Sequence, residues 1–206
     1  MSAASPFQFP LIAILRGLTP EHALAHVGAL ADAGYDAIEI PLNSPRWAES
    51  IGAAAQAFGQ RCWIGGGTVL KIAEVDTLAD LGARFIVTPN TRPPVIRHAV
   101  ARGLQVAAGF ATATEAFDAL DAGAQMLKLF PAATYGPGHL RALRAVLPAT
   151  TPLFVVGGVS TDTLRDYLAA GAIGAGIGGE LYRPGQALAQ TQAQAAAFRQ
   201  AYLDHA

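Results

Sequence analysis

The chain has 206 residues, enough for one substantial core and at the short end of the range that a (β/α)8 barrel occupies. With 52% hydrophobic residues, only 14% charged ones, a formal net charge of -1 and no basic cluster, it offers nothing to nucleic acid or to an anionic membrane, and the expected partner is a small molecule. The single cysteine, Cys62, has no partner for an internal disulfide and reads as a small core hydrophobe in a reducing compartment.

From Met1 to Pro10 there is no basic region ahead of an apolar run, and the apolar segment Leu11 to Leu15 is stopped by Arg16, so no signal peptide is expected. The longest apolar tract, Ala169 to Gly179, is glycine-rich and too short to span a bilayer. A cytoplasmic protein is the expectation. Short apolar runs then recur along the chain: Leu11 to Arg16, Ala37 to Leu42, Cys62 to Thr68, Phe85 to Thr88, Gln105 to Gly109, Met126 to Phe130, Leu153 to Gly157 and Ile173 to Gly178. Each precedes an Ala- and Leu-rich segment with helical spacing, such as Ala23, Leu24, Val27 and Leu30, or Leu140, Leu143, Val146 and Leu147, whose faces are expected to pack inward. Capping hydroxyls precede acidic residues at Thr19, Thr112 and Ser160, and Ala-Gly pairs at Gly34, Gly123 and Gly171 stop helices. Alternating βα units imply a parallel sheet, and eight of them with no linker imply a single (β/α)8 TIM barrel over residues 1–206. The many small apolar residues left for its outer surface suggest contact with another subunit.

Strands buried on both faces are continuously apolar, so a polar residue within one, or at its C-terminal end where barrel sites lie, carries information. Such positions are Arg16, Glu39, Asn43, Thr68, Thr88 and Lys128, with the pairs Gly157-Gly158 and Gly178-Gly179. Lysine occurs only at Lys71 and Lys128 among 14 basic residues. Lys71 opens a helix and reads as solvated. Lys128 is flanked by Leu127, Leu129 and Phe130; desolvation there lowers an amine's pKa and exposes a neutral nucleophile. The bland alternative, a strand-end lysine that snorkels to solvent or serves as a point charge for phosphate, stays open on residue chemistry alone. Glu39 is a lone acid in an apolar strand, and needs either a task or a partner. Sharing a lumen with Lys128, it provides a proton shuttle without metal; the alternative is a structural ion pair with Arg16.

The two glycine pairs close the seventh and eighth strands, the corner where bare barrel amides commonly hold a phosphate. Gly65-Gly66-Gly67-Thr68 is weaker, since three glycines can simply permit close approach. No metal site is expected: His22, His26, His98 and His139 fall on helices or their leading turns and His205 in the tail, all read as surface groups.

The segments Ile14-Leu15-Arg16-Gly17, Ile38-Glu39-Ile40-Pro41-Leu42, Gly65-Gly66-Gly67-Thr68-Val69, Lys128-Leu129-Phe130-Pro131-Ala132 and Val156-Gly157-Gly158-Val159 together resemble the family of 2-keto-3-deoxy-6-phosphogluconate and 2-keto-3-deoxy-6-phosphogalactonate aldolases, across nearly the whole chain. The resemblance implies a homotrimeric barrel without cofactor, with Lys128 as Schiff-base lysine and Glu39 as general acid and base. It implies that Thr68 and Pro89 bind the pyruvate carboxylate and that Phe130 flanks the substrate, a sugar acid phosphate cleaved to pyruvate and glyceraldehyde 3-phosphate. Asn43 stands where the phosphogluconate branch often has arginine, which makes Arg16 the replacement countercharge. Val156 stands where that branch often has threonine and is similar to the phosphogalactonate branch; Glu180 stands where it often has serine, and its carboxylate repels phosphate unless it points away. The phosphogalactonate substrate is therefore expected. The phosphogluconate epimer or dual specificity is the alternative, and a non-catalytic sugar-phosphate-binding barrel is the alternative of another class.

Overall fold

The computed structural model of the protein describes residues 5–205. Its strands are β1 (Leu11–Ile14), β2 (Ala37–Pro41), β3 (Trp63–Gly67), β4 (Phe85–Val87), β5 (Gln105–Phe110), β6 (Met126–Leu129), β7 (Leu153–Val156) and β8 (Gly174–Ile177). Between and after them run α1 (Pro20–Asp32), α2 (Trp47–Phe58), α3 (Ile72–Asp80), α4 (Pro93–Ala101), α5 (Ala113–Asp121), α6 (Ala132–Arg144), α7 (Thr161–Ala169) and α8 (Leu188–Leu203). The strands pair in chain order, all parallel, and β8 closes on β1. This is the TIM barrel that the alternation implied, with seven strands one or two residues shorter than read and β5 one residue longer. Among the described residues no helix is long and apolar enough to cross a membrane. The Met1–Ala4 part of the leader reading lies outside the described residues.

Alternation along each strand divides the apolar residues into two cores. Leu11, Ile38, Ile64, Ile86, Val106, Leu127 and Val155 face outward and pack against the helices. Ile12, Ala37, Phe85, Ala107, Met126 and Phe154 face the lumen. Phe7 plugs the N-terminal mouth, its ring 5.4 Å from Phe85, 5.8 Å from Trp63 and 6.0 Å from Phe154 between centroids. Aromatic rings thus fill the lumen at that end.

Local signals explain most helix ends. Thr112 and Ser160 accept from the backbone amides of Glu115 and Thr163 in capping boxes, and the stops Gly34 and Gly171 have φ of +89° and +104°. Thr19, by contrast, precedes α1 without a side-chain bond to the helix backbone. Three expectations need correction. Cys62 sits just before β3 rather than in it, buried, with its thiol donating to the Tyr35 carbonyl at 3.4 Å. Leu24 and Val146 face solvent, because the helical stripe that packs inward is narrower than the apolar pattern. His26 is not a surface group: it is 3% exposed, and its Nδ1 lies 3.0 Å from the Thr191 hydroxyl on α8.

Candidate active site at the C-terminal mouth

Glu39 is the third residue of β2 and Lys128 the third of β6, and both point into the lumen, where they are 1% and 6% exposed. The space for the Glu39 carboxyl comes from β3. A Cβ at Gly67 would run into that carboxyl, and one at Gly65 would meet the Phe85 ring at 2.5 Å. The glycine run therefore belongs to the strand and clears the lumen face opposite an acid, a close approach of a side chain rather than of backbone.

Burial is the leading influence on both groups. It raises the Glu39 pKa, opposed by the fields of Lys128 and Arg16. It lowers the Lys128 pKa, assisted by Arg16 and opposed by the Glu39 charge. Lys128 and Arg16 reach Glu39 only as fields, and among the described residues Glu39 Oε2 has no hydrogen-bond partner. The Arg16 guanidinium instead donates from Nη1 to Asn43 Oδ1 at 2.8 Å. The structural ion pair between Glu39 and Arg16 is thus not made. A buried carboxylate left unpaired costs stability and is retained where it has chemistry to do.

Over these two groups opens a cavity of about 550 Å³. Arg16, Thr68, Pro89 and Phe130 line one part of it, and Val156, Gly157, Gly158, Gly178 and Gly179 another. All nine positions singled out for substrate thus meet at one mouth. Lys128 and Glu39 do not contribute to that wall; they lie deeper, with Lys128 Nζ 5.0 Å from the centroid of the Phe130 ring. Phe130 is the intermediary, half in the opening and half over the amine.

The mouth is shaped by strained or bare backbone. Thr68 has φ of +59°, a left-handed conformation that a β-branched residue adopts at a cost of about 1–3 kcal/mol, as is typical of functional turns. Gly158 has φ of +75°, and a Cβ there would lie 2.5 Å from the Ala133 side chain. Pro89 is held by Thr88, whose buried hydroxyl donates to the Asn90 carbonyl at 2.7 Å and accepts from the Gly109 amide at 3.1 Å. Among the described residues the amides of Gly158, Gly179 and Glu180 donate to no acceptor, so they are free to meet an anion. The Glu180 carboxylate is exposed and lies 3.9 Å from the Arg183 guanidinium, which offsets its charge at this corner.

Sequence reasoning missed Ile14, Val159 and Gly176 as part of the wall. Gly176 carried a signal in its register: paired with Val156, it faces the lumen beside that side chain, and a Cβ there would meet the Val156 methyl at 2.8 Å. Among the described residues no three His, Cys, Asp or Glu side chains converge on a shared point.

The model of the KDPG and KHG aldolase family matches residues 7–197. The 2-dehydro-3-deoxy-6-phosphogalactonate aldolase of Escherichia coli (strain K12) is 56% identical over 197 residues, 96% of each chain. A solved structure described as native KDPGal superposes with a TM-score of 0.96 at 54% identity, over 100% of this chain and 98% of that one. A cube-shaped protein cage designed by fusing symmetric oligomeric domains superposes at 0.95 with 56% identity, over 96% of this chain and 73% of the cage chain.

Proposed function

The chain belongs to the KDPG and KHG aldolase family and is therefore an aldolase, a lyase; from that premise we propose that it cleaves 2-dehydro-3-deoxy-6-phosphogalactonate to pyruvate and D-glyceraldehyde 3-phosphate through a Schiff base on Lys128. The observation that carries the mechanism is a desolvated amine and an unpaired buried carboxyl in one lumen beneath one cavity. A binding protein has no need of either, and holding both is costly.

In this reading the neutral Lys128 amine adds to the C2 ketone and water is lost, giving an iminium. The iminium accepts the electron pair of the C3–C4 bond as that bond breaks. Glu39, acting through a water, takes the proton of the C4 hydroxyl, and the aldehyde leaves as D-glyceraldehyde 3-phosphate. The enamine is protonated at C3, and hydrolysis of the iminium frees pyruvate and restores the amine. A carboxyl whose pKa is raised by burial suits this shuttle, since it holds a proton more readily than an exposed acid does.

Arg16 supplies the charge for the substrate carboxylate, with Thr68 and Pro89 contributing backbone and shape and Phe130 packing over the chain. The phosphate lies against the free amides around Gly157, Gly158, Gly178 and Gly179. Val156 offers the C4 hydroxyl no hydrogen bond, so the phosphogluconate epimer is a slower second substrate. We further propose one domain over residues 1–206, a homotrimer and a cytoplasmic location. The trimer is supported by the oligomeric origin of the cage domains and by exposed apolar side chains such as Ile72, Phe117 and Tyr135.

Borohydride reduction in the presence of pyruvate, followed by peptide mapping, tests the mechanism. The expected adduct is on Lys128 alone and disappears in Lys128→Met. An adduct confined to Lys71, or full turnover in Lys128→Met, overturns it. Retro-aldol assays with both C4 epimers test the substrate.

A further inference from the structure

The loop between β8 and α8, residues 178–187, carries Gly178, Gly179 and Glu180 to the cavity, yet little in its own backbone fixes where it stands. Leu181 and Tyr182 amides donate to the Gly178 carbonyl at 2.8 and 2.9 Å, closing a single turn. Neither Gly178 nor Gly179 is constrained by packing, since a Cβ on either would meet nothing within 4 Å. Leu181 and Tyr182 pack the turn into the core, and one polar side chain adds directed bonds that tie it to α8. Gln186 Nε2 donates to the Leu181 carbonyl at 3.0 Å, to Thr191 Oγ1 at 2.8 Å and toward Gln194 Oε1 at 2.9 Å, while its Oε1 accepts from the Arg183 amide at 3.2 Å. Arg183 in turn donates from Nε to the Gly179 carbonyl at 3.0 Å.

The anchor behind Gln186 is fully buried. Thr191 is 0% exposed on α8; its oxygen accepts from Gln186 and lies 3.0 Å from His26 Nδ1 on α1. The ring of buried Tyr182 stands edge-on to His26 at 5.0 Å between centroids. A polar chain running Leu181, Gln186, Thr191, His26 thus backs the loop residues at the cavity, while none of its own members lines the wall.

We propose that Gln186 is a positioning residue for the phosphate end of the substrate, acting through the backbone of residues 179–182. The proposal rests on the reading that phosphate binds at Gly178–Glu180. Rigid aim matters because amides catch an anion only when they converge on it, and a mobile turn loses that convergence to entropy.

The test is Gln186→Glu, which keeps the shape and the acceptor for the Arg183 amide but removes both donor hydrogens. KM for the phosphorylated substrate and the inhibition constant of inorganic phosphate are expected to rise together by about tenfold, the scale of one or two hydrogen bonds, with kcat little changed. Exchange of pyruvate methyl protons with deuterium, which uses Lys128 and Glu39 but no phosphate, is expected to stay at the wild-type rate. Thr191→Val, isosteric and lacking one acceptor of the chain, is expected to give the same signature at smaller amplitude, and carries the test alone if Gln186→Glu does not fold. Inhibition of the wild type by phosphate that both variants leave unchanged overturns the clamp, as does an equal loss of pyruvate exchange. A wild type indifferent to inorganic phosphate, with one KM for phosphorylated and dephosphorylated substrate, overturns the phosphate reading and the role of Gln186 with it.

Discussion

Replacing Glu39 by glutamine separates the two roles a buried acid can have, because the amide fills the same space beside Gly67 and removes only the charge and the proton. General acid–base catalysis contributes about 10²–10⁴ in rate, so turnover is expected to fall at least a hundredfold, about 2.7 kcal/mol of barrier. Stability is expected to move the other way. Burial holds the Glu39 pKa above its ordinary value, and among the described residues Oε2 has no partner, so the charged form destabilises the folded state. Each unit of such a shift is worth about 1.4 kcal/mol, and in a chain of this size Tm moves by roughly 2–4 °C per kcal/mol. For an acid whose pKa is raised on folding, the penalty grows as pH climbs from the unfolded value, about 4.3, and is complete above the folded value. The Tm advantage of Glu39→Gln is therefore largest near pH 8 and fades toward pH 4. The Glu39 charge also holds the Lys128 pKa up against burial, so removing it lowers that pKa further, and the acid limb of borohydride trapping shifts to lower pH while the end-point yield persists. The assays are pyruvate release coupled to lactate dehydrogenase, thermal unfolding between pH 4 and 8, and the pH profile of trapped adduct. A variant that loses both Tm and adduct would show that Glu39 is a structural counterion for Lys128 and refute the shuttle.

Other outcomes follow from the same geometry. Val156→Thr adds a hydroxyl on the cavity wall without changing shape, and is expected to move the ratio of kcat/KM for the two C4 epimers toward phosphogluconate by about tenfold, the worth of one hydrogen bond; an unchanged ratio means that stereochemistry is read elsewhere. Gly179→Ala places its methyl in open space and is expected to raise KM for the phosphorylated substrate while leaving Tm unchanged. Gly158→Val, forced into a left-handed backbone and against Ala133, is expected to lower Tm as well, so equal Tm values for the two variants would contradict the close approach of Gly158 to Ala133.

The order of βα units, the closed barrel and the placement of Lys128 in an apolar strand were legible in the chain because each rests on local signals: apolar run lengths, helical spacing, capping residues, and a lysine placed where lysine is scarce. What stayed hidden depends on which face a residue takes. When both faces of a strand are buried, no alternation of polar and apolar residues tells the lumen from the helix side. Only the closure of β8 on β1, with the register that follows, brought Glu39 and Lys128 into one lumen and turned Gly65 and Gly67 into space for a carboxyl. The same limit applies on the helices, where Leu24 and Val146 fit the apolar pattern but face solvent, and His26 fits a surface pattern but is buried against Thr191. Nothing in the sequence around Gln186 distinguishes it from the other glutamines near the C-terminus. Its four hydrogen-bond partners come from its own loop and from α8, and the chain behind them ends on α1, 165 residues away from Thr191 in sequence. Local periodicity chose the elements; closing the barrel decided which of their polar atoms meet, since a hydrogen bond depends on positions in space that no spacing along the chain encodes.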